Sequence, residues 1–161
     1  MRDMREGRVV SICVSGRKGE KKTPVSEAFL DAGRGIRGDA HAEGGLRQVS
    51  LLMEESVERM RREAGVELRA GDFAENIVTQ GIDLNGVAVG DVIEIGEAHG
   101  EGGAALLRVT MIGKECATPC RIFYQVGFCI MPREGIFCAV DSPGPVKAGA
   151  VSYTHLTLPT I

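Results

Sequence analysis

Apolar residues along this chain come in short runs broken by glycine rather than in long amphipathic stretches, and the runs are rich in the β-branched side chains that suit a pleated sheet. Arg8-Val9-Val10-Ser11-Ile12-Cys13-Val14-Ser15 predicts a first strand. Residues 16–24 follow, where Gly, Lys and Pro predict an exposed basic connection. A second strand is predicted over residues 25–32, and then five glycines fall within residues 33–45, too many for a regular element. After a short apolar strand over 48–52, residues 53–64 predict the one convincing helix. Val57, Met60 and Ala64 recur at i, i+3 and i+7, the charged residues Glu54, Glu55, Glu58, Arg59, Arg61 and Arg62 take the other face, and Gly65 supplies the stop.

Beyond the helix, Gly71-Asp72, Gly81, Asn85-Gly86, Gly90-Asp91 and Gly96 punctuate β-prone runs over 77–80, 87–89, 92–95 and 106–112, with further strands at 135–140 and 146–150 around Ser142-Pro143-Gly144-Pro145. Regularly spaced short strands predict an all-β barrel or sandwich in a single domain, with no internal repeat or linker. Residues 152–161, of Ser/Thr/Pro/Leu composition, fit that pattern poorly and are of doubtful origin, so the predicted core is about 8–150.

The 161 residues suffice for one domain with a real core. With 19 Lys and Arg against 22 Asp and Glu the net charge is −3, which argues against nucleic-acid binding. No run approaches the roughly 18 apolar residues of a membrane span, and the charged first eight residues lack the apolar core of a signal peptide, so a cytoplasmic location is expected. In a reducing compartment the five Cys are expected to be thiols, metal ligands or catalytic groups rather than a disulfide framework.

The densest chemistry lies in Ile112-Gly113-Lys114-Glu115-Cys116-Ala117-Thr118-Pro119-Cys120-Arg121. Lys114 and Arg121 flank the Cys116/Cys120 pair with cations that favour thiolate, the form that binds metal or carries sulfur. Cys129 is close enough in sequence to join them, whereas Cys13 and Cys138 sit in apolar strands and are assigned to packing. Structural zinc is a weaker alternative, because paired C-x2-C knuckles and a nearby His are missing. A thioredoxin-type motif fails on its spacer. A second constellation, Arg37-Gly38-Asp39-Ala40-His41 followed by Arg47, lies on the glycine-rich segment and suits an anionic ligand, the alternative being a turn capped by Asp39. Glu75 and Asn76 in Gly71-Asp72-Phe73-Ala74-Glu75-Asn76-Ile77 could fix local backbone, and Arg133 could pair with an acid or bind a phosphate.

Taken in order, Gly35-Ile36-Arg37-Gly38-Asp39-Ala40-His41, Arg47-Gln48-Val49-Ser50-Leu51, the 71–77 motif, Val89-Gly90-Asp91, Ile112-Gly113-Lys114-Glu115-Cys116, Pro119-Cys120 and Met131-Pro132-Arg133-Glu134-Gly135-Ile136-Phe137 closely resemble the MOSC domain, named for the C-terminal part of molybdenum cofactor sulfurase, in its small stand-alone bacterial form. The resemblance spans about residues 9–149. It implies a closed β-barrel with one main helix and short helical turns, and a function tied to the molybdenum cofactor, molybdopterin. Relatives bind that cofactor, or pass on sulfur as a cysteine persulfide received from a pyridoxal-phosphate-dependent desulfurase. Carried over, Cys116 becomes the reactive thiol and metal ligand and Cys120 the assisting thiol. Arg37, Asp39, His41, Arg47 and Arg133 would line the anionic cofactor's pocket, with Asn76, Lys114 and Arg121 added to the set. The chain departs from its relatives at Ala117, where they carry His, and after Gly149, where they continue with Asp and another strand.

The expected function is therefore cofactor binding or sulfur carriage for cofactor maturation or delivery, with a desulfurase or molybdoenzyme as partner. The alternatives are a molybdenum-dependent reductase of N-hydroxylated compounds, which needs a separate electron donor, and a non-catalytic adaptor module.

Overall fold

The computed structural model describes residues 6–18, 20–65, 67–97, 104–113, 135–148 and 152–157, with the backbone alone for residues 6, 64, 97 and 152–157. The elements run β1 (Glu6–Val14), β2 (Thr23–Val25), β3 (Glu27–Asp31), β4 (Gly35–Ile36), β5 (Val49–Met53), α1 (Glu54–Ala64), β6 (Ile77–Gln80), β7 (Val92–Glu97), β8 (Ala105–Ile112), β9 (Ile136–Ser142), β10 (Gly144–Lys147) and β11 (Ser152–Thr157). An eight-stranded sheet has the order β11-β7-β8-β9-β5-β6-β1-β2, and β10-β3-β4 forms a second, small sheet.

Strand β5 explains how the core is organised. All five of its residues are buried, because it lies between antiparallel β9, with Val49 opposite Cys138, and parallel β6, with Leu51 opposite Ile77. Val49, Leu51 and Met53 face the main cluster with Val9, Ile12, Ile77, Ile93 and Leu107. Leu52 faces the other way, into a second cluster with Val57, Leu68, Phe73 and Phe137. A strand covered on both faces reads as an unbroken apolar run rather than an alternating one. Its parallel pairing with β6 requires a crossover, and α1 lies within that crossover. Glu54 and Glu55 begin the helix and Arg61 and Arg62 end it, complementing its dipole. Gly65, left-handed at φ 66°, donates its N–H to the Arg61 carbonyl, so the predicted stop is the observed cap.

A register shift in β8 serves the same two clusters. Ala105, Leu107 and Val109 face the main core, and the irregularity between Val109 and Met111 turns Met111 toward the helix side.

The mainly β architecture with one helix among the described residues agrees with the sequence pattern. Four details differ. The run 25–32 is split between β2 and β3, and the glycine-rich stretch holds the two-residue strand β4. Residues 87–89 form no strand: Val87 and Ala88 lead into a turn at 89–90, and Ala88 donates its N–H to the Asp91 carboxylate. Residues 152–157, excluded from the predicted core, form β11, which pairs along β7 and with Glu6, Gly7 and Arg8 of β1. The order of the large sheet runs from β11 to β2, with an additional pairing of β11 to β1. Strand β1 divides one edge between them, its first residues going to β11 and Ile12, Cys13 and Val14 to β2.

Leu51 occupies the centre of the main cluster with no exposed surface. Leu51→Ala is expected to destabilise the protein by about 3 kcal/mol, measured as a lower urea midpoint with an unchanged slope.

Candidate functional site

The glycine-rich segment closes onto the end of β1. Gly38 takes φ 89°, which lets the chain turn so that Asp39 donates its N–H to the Ile36 carbonyl at 3.0 Å and Ala40 donates to the Ser15 carbonyl at 2.8 Å. The Asp39 side chain is wholly buried and lies against an equally buried Lys22, with Nζ 2.7 Å from Oδ1. Oδ1 also accepts the Ser15 N–H at 3.0 Å, and Oδ2 accepts the His41 N–H at 3.1 Å. The remaining reach of the ammonium is to Ser15 Oγ and His41 Nδ1, each at 3.3 Å. Burial alone would raise the Asp39 carboxyl, but His41, the Lys22 hydrogen bond and charge, and the Ser15 N–H together hold it well below the usual carboxylate range. Asp39 is thus a carboxylate at neutral pH, neutralised by Lys22.

A second buried carboxyl stands next to this pair. Lys22 donates its N–H to the Gly71 carbonyl at 2.8 Å. Gly71 in turn donates to Glu75 Oε2 at 2.8 Å, and Phe73 donates to Oε1 at 3.1 Å. Gly71 has φ 90°, and a Cβ there would overlap the Lys22 carbonyl oxygen, so only glycine permits this approach. Burial pushes the Glu75 carboxyl up to about 7, and Asp72 adds to the rise, although the backbone N–H groups of Gly71, Glu75 and Phe73 pull the other way.

Asn76 is also buried, and its contacts are structural. Its Oδ1 accepts the Ser50 N–H at 3.0 Å and its Nδ2 donates to the Cys13 carbonyl at 3.1 Å, so one side chain ties β1 to β5 at the start of β6. Arg37 turns to the surface, where it forms a bidentate pair with Asp31 and lies 4.6 Å over the Phe29 ring. Arg47 is exposed and stands 6.0 Å over the ring of Phe137, with no carboxylate partner among the described residues. The structure therefore brings Asp39 and His41 together and directs Arg37 and Arg47 elsewhere. Lys114, Cys116, Cys120, Arg121, Cys129 and Arg133 lie outside the described residues, between Gly113 and Gly135, which are joined by an N–H to carbonyl bond of 2.7 Å. Cys13 and Cys138 are buried free thiols, and burial pushes both up to about 12, which leaves them protonated and suited to packing. No cluster among the described residues has the make-up of a metal site.

Sequence reasoning missed Lys22, which it placed in an exposed connection. Lys21 and Lys22 are adjacent and chemically identical, and only the second is buried. The one available signal was the need of a buried Asp39 for a cation.

Glu75 gives a prediction with a defined sign. Its folded value of about 7 lies above its ordinary 4.5, so the stability it contributes is fully present below about pH 4.5 and is lost as pH rises through 7. Asp39, held low, behaves oppositely, its contribution being lost as pH falls below its ordinary 3.8. Glu75→Gln is expected to flatten the decline between pH 5 and 7. It should also cost about 1–3 kcal/mol, since the amide NH2 opposes a backbone donor. Urea midpoints across pH measure both effects.

Comparison with known proteins places this geometry. The family description MOSC domain matches residues 38–152. Among solved structures, the YuaD protein of Bacillus subtilis is similar at TM-score 0.72 and 19% identity, over 94% of this chain and 97% of that one. YiiM from Geobacillus stearothermophilus is similar at TM-score 0.66 and 20% identity, over 94% of this chain and 75% of that one. YiiM from Escherichia coli gives 0.63 and 21%, over 95% and 71%. Comparison with curated proteins finds no match. These structural likenesses establish a shared fold, and the family match, which covers the Asp39–His41 loop, β5, α1 and the 71–77 motif, shows that the chain belongs to the MOSC domain family.

Proposed function

We propose that this protein binds the molybdenum cofactor, or carries sulfur for its maturation or delivery, with Cys116 as the reacting thiol and metal ligand and Cys120 assisting it. The MOSC family is linked to that cofactor, and the observation that carries the reading is the buried Lys22–Asp39 pair holding His41 on the loop matched by the family. The cofactor, when bound, supplies a redox-active metal on a dithiolene and an anionic phosphate. The described side chains fit such an anion. Arg47 presents an exposed guanidinium with no carboxylate beside it among the described residues, and His41 is partly exposed. Arg37 fits less well, since Asp31 already neutralises it. Lys114, Arg121 and Arg133 complete the proposed cationic set.

For sulfur carriage, the Cys116 thiolate would attack the terminal sulfur of a persulfide on a pyridoxal-phosphate-dependent desulfurase. A new sulfur–sulfur bond forms on Cys116, and the donor cysteine leaves as thiolate. Closure of the sheet into a barrel belongs to the same reading, and the pairing of β11 with both β7 and β1 supports it.

The test is molybdenum and pterin content after purification from a host that makes the cofactor, together with a mass measurement for added sulfur. Near-stoichiometric metal and pterin, or a persulfide mass on Cys116, is expected, with either lost in Cys116→Ser. Absence of metal, pterin and persulfide in the unaltered protein overturns the reading. Full loading of Cys116→Ser overturns the role of that residue.

A further inference from the structure

An ammonium has three donors and no lone pair to accept with. Those of Lys22 have three acceptors in reach: Asp39 Oδ1 at 2.7 Å, Ser15 Oγ at 3.3 Å and His41 Nδ1 at 3.3 Å. Ser15 spends its hydroxyl proton on the Arg17 carbonyl at 2.9 Å, which leaves its lone pairs to accept from Lys22. A ring nitrogen facing a group that only donates must present its own lone pair. The competing arrangement, an Nδ1–H given to Asp39, is less well served. Oδ2 lies 3.6 Å from Nδ1, a longer contact than the 3.3 Å to the Lys22 ammonium, and already accepts the backbone N–H of His41 itself.

We propose that Lys22 is a positioning residue, which holds His41 as the neutral tautomer carrying its proton on Nε2. The Lys22–Asp39 pair then acts through the ring, consuming Nδ1 and leaving an N–H donor on the far edge. The His41 side chain is 20% exposed, and among the described residues Nε2 has no hydrogen-bond partner. That edge suits an acceptor atom of a bound ligand, such as a phosphate oxygen. Identifying the ligand as the molybdenum cofactor rests on the function proposed above, whereas the tautomer does not. Without the ammonium, Nδ1 faces only the Asp39 carboxylate and takes the proton in order to donate to it.

The test is a long-range proton–nitrogen correlation spectrum of the 15N-labelled, cofactor-free protein, with the His41 ring among the three histidines identified by its loss in His41→Gln. The spectrum is expected to show protonated Nε2 and bare Nδ1 in the unaltered protein, with the proton moved to Nδ1 in Lys22→Met. A proton on Nδ1 in the unaltered protein, or an unchanged tautomer in folded Lys22→Met, overturns the proposal. Should Lys22→Met not fold, the spectrum of the unaltered protein still decides it. In cofactor-loaded protein, Lys22→Met should retain about tenfold less molybdenum and pterin. Unchanged retention alongside an altered tautomer removes the cofactor as the partner of Nε2. If even the unaltered protein takes up no cofactor, the cofactor-binding form of the proposed function fails while the tautomer result stands.

Discussion

A lysine ammonium taken out of water needs a counter-charge and further acceptors, and the burial of Lys22 against Asp39 imposes that demand on three separate stretches of chain. The end of β1 contributes the Ser15 N–H and hydroxyl, the connection before β2 contributes the lysine, and the glycine-rich loop contributes the carboxylate and His41. Each charge alone would carry a penalty of several kcal/mol. The loop therefore closes in the one arrangement that satisfies both. Its glycines then become intelligible as hinges of that closure, with Gly38 the turn immediately before Asp39.

The same economy extends into the 71–77 motif. Gly71 meets the Lys22 backbone so closely that a side chain is excluded, and its N–H is bound by Glu75. One residue further on, Asn76 adds side-chain amide bonds to the Ser50 N–H of β5 and the Cys13 carbonyl of β1, the strands on either side of β6. A buried carboxyl and a buried amide, consecutive in sequence, thus join the loop network to the core strands. Their burial is a condition of the site's shape, because the apolar interior around Leu51 and Ile77 begins on the next residues of β5 and β6. Arg37 and Arg47, by contrast, rest on the aromatic rings of Phe29 and Phe137 at the surface, where their charge stays hydrated.

Local signals made much of this legible. Helix α1 followed from its apolar spacing, its end charges and Gly65, and β6 from its apolar run between glycine-bearing turns. These determinants are short-range, so a single sequence carries them. The division of 25–32 into β2 and β3 depended on which neighbour each half pairs with, and Val87 was buried outside any strand. Both are tertiary choices with no local mark. Asp39 and His41 were visible as chemistry because they stand two apart beside a glycine. Their partner Lys22 was invisible, since nothing within the basic stretch separates it from Lys21. Asn76, read as a pocket residue through the family resemblance and as a backbone anchor through its neighbours, makes the second kind of contact throughout.

The claim on which the account turns is that Lys22 and Asp39 act as one unit. The most direct measurement is a double-mutant cycle in chemical denaturation using Lys22→Met, Asp39→Asn and the double variant. Each single change should cost about 3–5 kcal/mol by leaving the other group buried without its partner. The double variant should recover much of that loss, with a coupling of at least about 2 kcal/mol. Additive losses, with coupling below about 0.5 kcal/mol, would show that the two residues are stabilised independently and would contradict the account.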